Sequence, residues 1–111
     1  RIIDAFPADQ QQQIRIQLSA VLRTVVAQQL LPDVDGGLVP AFEILHLTPA
    51  VRSLIRDSKT HQLQAAMASG GPDGMVTMDQ SVLALYRMGR ITRQTALDYA
   101  DNPDQVQRRM G

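Results

Sequence analysis

The only imidazoles in the sequence are His46 and His61, and no cysteine is present to share a metal with them. Neither has a second His one helical turn away, so a metal site would need ligands converging from distant elements. Both are read as structural or solvent-facing. Serine and histidine occur together, yet no Gly-x-Ser-x-Gly elbow and no cysteine nucleophile marks acyl transfer. Asp33 and Asp35 are closely spaced carboxylates, but they precede Gly36-Gly37 and read as turn formers, because Asp bonds its own local backbone in such places. A phosphate-binding loop needs a Gly-rich strand-to-helix turn ending in Lys-Ser or Lys-Thr, so that amides cradle the phosphates and the Lys reaches them. Gly70-Gly71-Pro72-Asp73-Gly74 is the only Gly cluster, lacks that ending and reads as a helix terminator. One charged pattern remains: Arg52, Arg56 and Lys59, at i, i+4 and i+7, opposite Val51, Leu54 and Ile55. This basic edge is either a solvated face partly paired with Asp57 or a docking face, and spacing alone leaves both open.

The elements that must carry these residues follow from periodicity and punctuation. After Phe6-Pro7, apolar residues at Ile14, Leu18, Val21, Leu22, Val25 and Val26 predict a helix over about 7–28. Gln10 to Gln13, Arg15, Gln17 and Arg23 form its polar surface. The turn signal Asp33-Val34-Asp35-Gly36-Gly37 between two β-capable runs predicts a hairpin over about 29–47, with Pro40 at a strand start or sheet edge. Short helices are expected through 49–110, started by Thr48-Pro49, Thr60, the Thr77/Gln80 capping box, Thr92 and Asn102-Pro103, with a stop at Gly89. The Gly70–Gly74 loop is expected to be flexible. No repeat or linker divides the chain, so the expectation is a single domain, 1–111, of the α+β class, predominantly helical with one β-hairpin.

Composition narrows the function. Eleven Lys and Arg balance eleven Asp and Glu, so the chain lacks the positive field that drives non-specific nucleic-acid binding. A helix-turn-helix reading is the weakest, and no nucleic-acid partner is expected. The apolar stretches stop well short of the roughly 20 residues a membrane span needs, and the absence of cysteine suits a reducing compartment, so a cytosolic location is expected. An Arg start leads to the expectation of sequence upstream.

Several segments then occur in order: Arg1-Ile2-Ile3-Asp4-Ala5-Phe6-Pro7, Gln12-Gln13-Ile14-Arg15-Ile16-Gln17-Leu18, Gln28-Gln29-Leu30-Leu31-Pro32 and Glu43-Ile44-Leu45. Ala50-Val51-Arg52-Ser53-Leu54-Ile55-Arg56-Asp57 follows, then Lys59-Thr60-His61-Gln62, Gly74-Met75 and Thr77-Met78-Asp79-Gln80. Together they resemble the type IV pilus retraction (twitching motility, PilT-like) ATPases of the secretion-ATPase superfamily over essentially all 111 residues. The octet from Ala50 to Asp57 is similar to that family's Ala-Ile-Arg-Asn-Leu-Ile-Arg-Glu signature, with conservative differences at Val51, Ser53 and Asp57. Gln64, Pro72-Asp73 and a shorter Asp33–Gly37 turn depart from the family pattern and bear on loop details.

The resemblance implies a longer parent: a hexameric ring motor with an N-terminal PAS-like domain and a C-terminal RecA-like P-loop core that binds ATP and Mg2+ near subunit boundaries. It implies a cytoplasmic protein held at the inner membrane through a pilus platform protein. This chain is expected to be the C-terminal part of that core. The family's phosphate-binding loop, acidic boxes and His box would lie upstream of Arg1, so no catalytic, cofactor-binding or metal residue and no bound cofactor is expected for the segment alone. By the same resemblance the Ala50–Asp57 helix serves retraction rather than ATP cleavage, with Leu54 and Ile55 packing and Arg52 and Arg56 contacting a neighbouring element or subunit. The related extension and type II secretion ATPases carry a four-cysteine insertion after the stretch equivalent to Gln28–Leu31, so the lack of cysteine favours retraction. A stand-alone interaction module docking through Arg52–Lys59 is the competing class, and the corresponding segment of an extension ATPase is the other alternative. Apolar surface left open outside the larger sheet is expected to drive self-association, in a form that would not report the motor's symmetry.

Overall fold

The computed structural model describes residues 2–111, so Arg1, where the segmental resemblance begins, lies outside the described residues. Helix α1 covers Ala8–Val21, and strand β1 runs over Thr24–Pro32. The helix expected to reach about residue 28 therefore stops about two turns early. Thr24, Val25 and Val26 are β-branched, lose side-chain freedom in a helix and fit a pleated surface better; Val21, expected on the buried stripe, is 69% exposed. Strand β2, Leu38–His46, pairs with β1 in a two-stranded sheet that starts earlier than the expected 29–47. Helices α2 (Pro49–Arg56), α3 (Leu63–Ala68), α4 (Met78–Arg87), α5 (Arg93–Tyr99) and α6 (Pro103–Met110) follow, giving the expected predominantly helical α+β class.

Two backbone bonds fix the hairpin's register: Asp33 N–H to the Gly37 carbonyl at one end and Leu47 N–H to the Arg23 carbonyl at the other. Counting inward from both, Leu31 faces Val39 and Gln29 faces Ala41 in hydrogen-bonded pairs, while Val26–Ile44, Gln28–Phe42 and Leu30–Pro40 are non-hydrogen-bonded pairs. Pro40 thus occupies a position where the ladder asks for no N–H, which is why the strand tolerates it. The outward groups of β2 are put to use, since Ile44 exchanges bonds with Val76 and Phe42 N–H donates to Ser81 Oγ at 3.0 Å.

The helix starts expected from sequence are present at four positions. Thr48, Thr77, Thr92 and Asn102 each accept an N–H from the residue three further on, and Thr77 with Gln80 closes a capping box. Thr60 does not cap: it lies in a 3-10 turn, Thr60–Gln62, and α3 begins at Leu63 without a side-chain cap. The glycine cluster holds a second such turn, Gly71–Asp73. Helix α4 closes with Gly89 at φ +75°, where Gly89 and Arg90 N–H bond back to Tyr86 and Leu85, so glycine relieves the left-handed step.

The chain forms two compact units, residues up to 25 with 45–75, and 26–44 with 76–111. In the first, Leu47, Val51, Ile55, Met67 and Met75 are buried, with Leu22, Val25, Leu45 and Leu63 packed around them. In the second, Leu31, Val39 and Ala41 of the hairpin bury against Met78, Val82, Leu85, Ile91 and Ala96. The second unit also holds an ion pair, Arg90 Nη2 to Asp33 Oδ2 at 2.6 Å, which ties the hairpin turn to the end of α4. That hydrogen bond, ahead of the one from Asp35 N–H, holds the Asp33 carboxyl below its ordinary value. Asp33 and Asp35 are thus turn formers, and Asp33 is also an anchor.

Leu31 is fully buried, so Leu31→Ala should lower the unfolding free energy by about 2–5 kcal/mol in a denaturant titration. A proton binds Asp33 less readily in the folded than in the unfolded chain. Its contribution is therefore complete above about pH 4 and is lost as pH falls through the lower folded value. Asp33→Asn should give a flatter stability curve in that acid range than the natural chain, and two parallel curves would contradict the assignment.

Candidate functional site

The octet from Ala50 to Asp57 folds as α2 with Asp57 at its C-cap. Thr48 starts it, and Pro49 fits the first turn, where its missing N–H has no partner to lose. Val51 (1% exposed) and Ile55 (7%) form the buried face, whereas Leu54 is only half-buried. The packing pair is therefore Val51 and Ile55 rather than Leu54 and Ile55, because residues four apart stack on one face and adjacent ones do not.

The two arginines of the octet do different things. Arg52 Nη1 donates to the Ser19 carbonyl in the last turn of α1. That oxygen is one of the acceptors a helix end leaves unpaired, and the cation also meets the negative end of the helix dipole. In return, Gln12 Nε2, near the start of α1, donates to the Arg56 carbonyl at the end of α2 at 3.0 Å. Ser58 Oγ donates to Gln12 Oε1 at 3.0 Å and so orients the amide. Each helix thus caps the other's C-terminus, which also sets the two antiparallel. Arg56 faces outward: its side chain is 55% exposed, with long 3.4 Å contacts to Asp57 Oδ1 and Ser53 Oγ. The basic edge is consequently split, with Arg52 spent inside the fold and Arg56 and Lys59 on the surface.

Beyond α2 the chain turns with Ser58 at φ +60°, Lys59 N–H bonding back to Leu54 and Ser58 N–H to Ile55. A left-handed step without glycine costs on the order of 1 kcal/mol, and the Ser58 bond to Gln12 is what glycine could not supply. Gln12 is the residue missed by reasoning from sequence, which placed it on a polar surface. Nothing in helical spacing tells which exposed glutamine meets another helix end. Arg15, three residues on along the same face of α1, keeps a buried Nε without a hydrogen-bond partner.

The histidines are far apart in role. His46 Nδ1 lies 2.9 Å from Thr24 Oγ1, across the strand pair, and its Nε2 would sit 3.3 Å from a Cβ placed on Gly74. His61 is exposed in the 3-10 turn before α3. Among the described residues no group of three or more His, Cys, Asp or Glu is placed to hold a metal ion. No helix among them is long and apolar enough to cross a membrane.

Comparison with known proteins adds identity to this geometry. No protein-family profile matches the chain. It is 39% identical over 104 residues to the type IV pilus retraction ATPase PilT of Pseudomonas aeruginosa, covering 94% of this chain and 30% of that protein. It is 42% identical over 107 residues to a twitching motility protein of Neisseria gonorrhoeae, covering 96% of this chain and 29% of the relative. A crystal structure of the pilus retraction motor PilT with bound ADP superposes with a TM-score of 0.81 at 39% identity, over 97% of this chain and 30% of the motor chain. The chain therefore spans less than a third of the length of the proteins it matches.

The unequal arginines give a direct test. Arg52→Ala should cost about 1–3 kcal/mol, since it strands a helix-end carbonyl that a charged donor now satisfies. Arg56→Ala should change stability by less than about 0.5 kcal/mol, as exposed residues with weak contacts usually do. Equal losses in chemical unfolding would show that both arginines hold the fold.

Proposed function

Because the chain is homologous to the type IV pilus retraction ATPases over nearly its whole length, we propose that it is the C-terminal segment of such a motor. The observation that carries this reading is the likeness, across almost every residue, to a retraction motor whose structure holds ADP. In this reading a longer polypeptide binds and hydrolyses ATP with Mg2+ using residues outside this chain. It assembles as a homo-hexameric ring, and it works in the cytoplasm against a pilus platform protein of the inner membrane. The segment itself supplies subunit contacts and couples hydrolysis to retraction.

Helix α2 is the element we assign to coupling. Its middle, through Arg52, and its C-terminal end are bonded to α1, so the pair moves as one stiff piece rather than as two flexible helices. Arg56 projects from that piece with only weak contacts of its own, which leaves its guanidinium available to carboxylates or carbonyls of a neighbouring subunit. Arg52 positions the helix, and Val51 and Ile55 seat it. A stand-alone docking module would use the same exposed Arg56 and Lys59, but would need no nucleotide.

ATP binding and turnover separate the two readings when measured on this chain and on the gene product extended upstream. Turnover by the longer protein and none by the short chain supports the motor segment, whereas saturable ATP binding by the short chain alone would refute it. Within the longer motor, Arg56→Ala should reduce pilus retraction several-fold while leaving ATP turnover within about twofold, a difference on the order of 1 kcal/mol in coupling. Equal loss of both, or of neither, would contradict the role of Arg56.

A further inference from the structure

In the second unit, helix α6 is held by α4 at both of its ends. Asp79, in the first turn of α4, accepts Asp101 N–H at 2.7 Å on Oδ1 and Asn102 N–H at 3.0 Å on Oδ2, where α6 starts. Arg87, in the last turn of α4, donates from Nη2 to the Arg109 carbonyl at 2.9 Å, in the last turn of α6. The two helices therefore run parallel, and their spacings agree: the axial rise is about 12 Å from Asp79 to Arg87 and about 10.5 Å from Asn102 to Arg109. An acid stands at the positive end of the α6 dipole and a base at its negative end. Little else anchors the helix. Val106 is the one side chain that α6 buries, whereas α4 buries Met78, Val82, Leu83 and Leu85. The core around Leu31, Val39 and Val82 does not include Val106, and Met110 packs against that core only partly buried. An eight-residue helix does not persist alone in water.

We propose that α6 is a latch, which undocks from α4 and unwinds as one piece while the hairpin, α4 and α5 stay folded. At about two turns, the helix has no interior stretch that could survive the release of either end, so the two clamps act together. Opening frees the Asp79 carboxylate and the Arg87 guanidinium on the side of α4 that α6 had occupied. The second unit thus has two states, clamped and open, separated by less than the cost of unfolding its core. The contacts that define both states lie inside this unit, and none belongs to the motor reading.

Native-state hydrogen exchange of the natural chain in low urea reads these states directly. The amides of Val106 to Met110 should share one opening free energy with a shallow urea dependence, since undocking exposes little surface. Leu31 and Val82, both fully buried, should exchange through a costlier opening with a steeper dependence. Asp79→Ala and Arg87→Met should each speed exchange in α6 about tenfold, on the order of 1.4 kcal/mol. Val39→Ala, in the buried core of the hairpin, should speed Leu31 and Val82 yet leave α6 unchanged, because the clamped and open states lose the same contacts. Exchange of α6 with the urea slope of Leu31, acceleration of α6 by Val39→Ala, or an α6 indifferent to both clamp variants would overturn the latch. Should a clamp variant not fold, the two urea slopes of the natural chain still decide.

Discussion

Short helices impose the constraint that organises this protein. Four N–H groups at the start and four carbonyls at the end of any α-helix lack internal partners, and the helices after the hairpin run to only 6–10 residues. Most of their backbone is therefore terminal, and groups outside the helix satisfy the ends of most of them. The chain meets this in two ways. The starts are served locally by Thr48, Thr77, Thr92 and Asn102; the start of α6 is served from a distance as well, by Asp79, whose carboxylate accepts from Asp101 and Asn102 N–H at 2.7 and 3.0 Å. Three ends are served from a distance: Arg52 on α1, Gln12 on α2, and Arg87 on the Arg109 carbonyl of α6 at 2.9 Å.

That asymmetry makes each distant cap a tertiary contact as well as a helix terminator. In the first unit it joins α1 and α2 through both of their C-termini, so neither helix can fray without releasing the other. The buried pair Val51 and Ile55 contributes apolar area to the same seam, but area is non-directional and would tolerate a slide. The two bonds to helix ends fix the axial position. A helix held in this way carries Arg56 on a fixed backbone, which the coupling role proposed for it would require.

The same asymmetry explains what could be read from the sequence. Four of the five expected helix starts are present because an N-cap and its acceptor lie three residues apart, within one sequence window; Thr60 has the right residue type but sits in a 3-10 turn instead. The hairpin turn was equally legible, since Asp33 bonds Asp35 and glycine follows. The partition of Arg52 from Arg56 was not, because i, i+4 spacing puts both on one stripe and says nothing of which lies over Ser19. Gln12 was hidden for the same reason. The run from Val21 to Val26 misled through spacing: it carries apolar residues at helical intervals, but the β-branching of Thr24, Val25 and Val26 decided the outcome.

The placement of Pro40 opposite Leu30 bears on how the hairpin can change over evolutionary time. Both faces of the strand pair carry large apolar residues, Leu31 and Val39 inward and Leu30 and Phe42 outward, so hydrophobicity would not resist a slip by one position. A slip of the strands by one position would put Pro40 where the ladder demands an N–H, and would separate Ile44 from Val76. Asp33, tied to Arg90, and Gly36, at φ +92°, hold the identity of the turn at two positions, while the register is held by Pro40 and by the bonds of Ile44 to Val76.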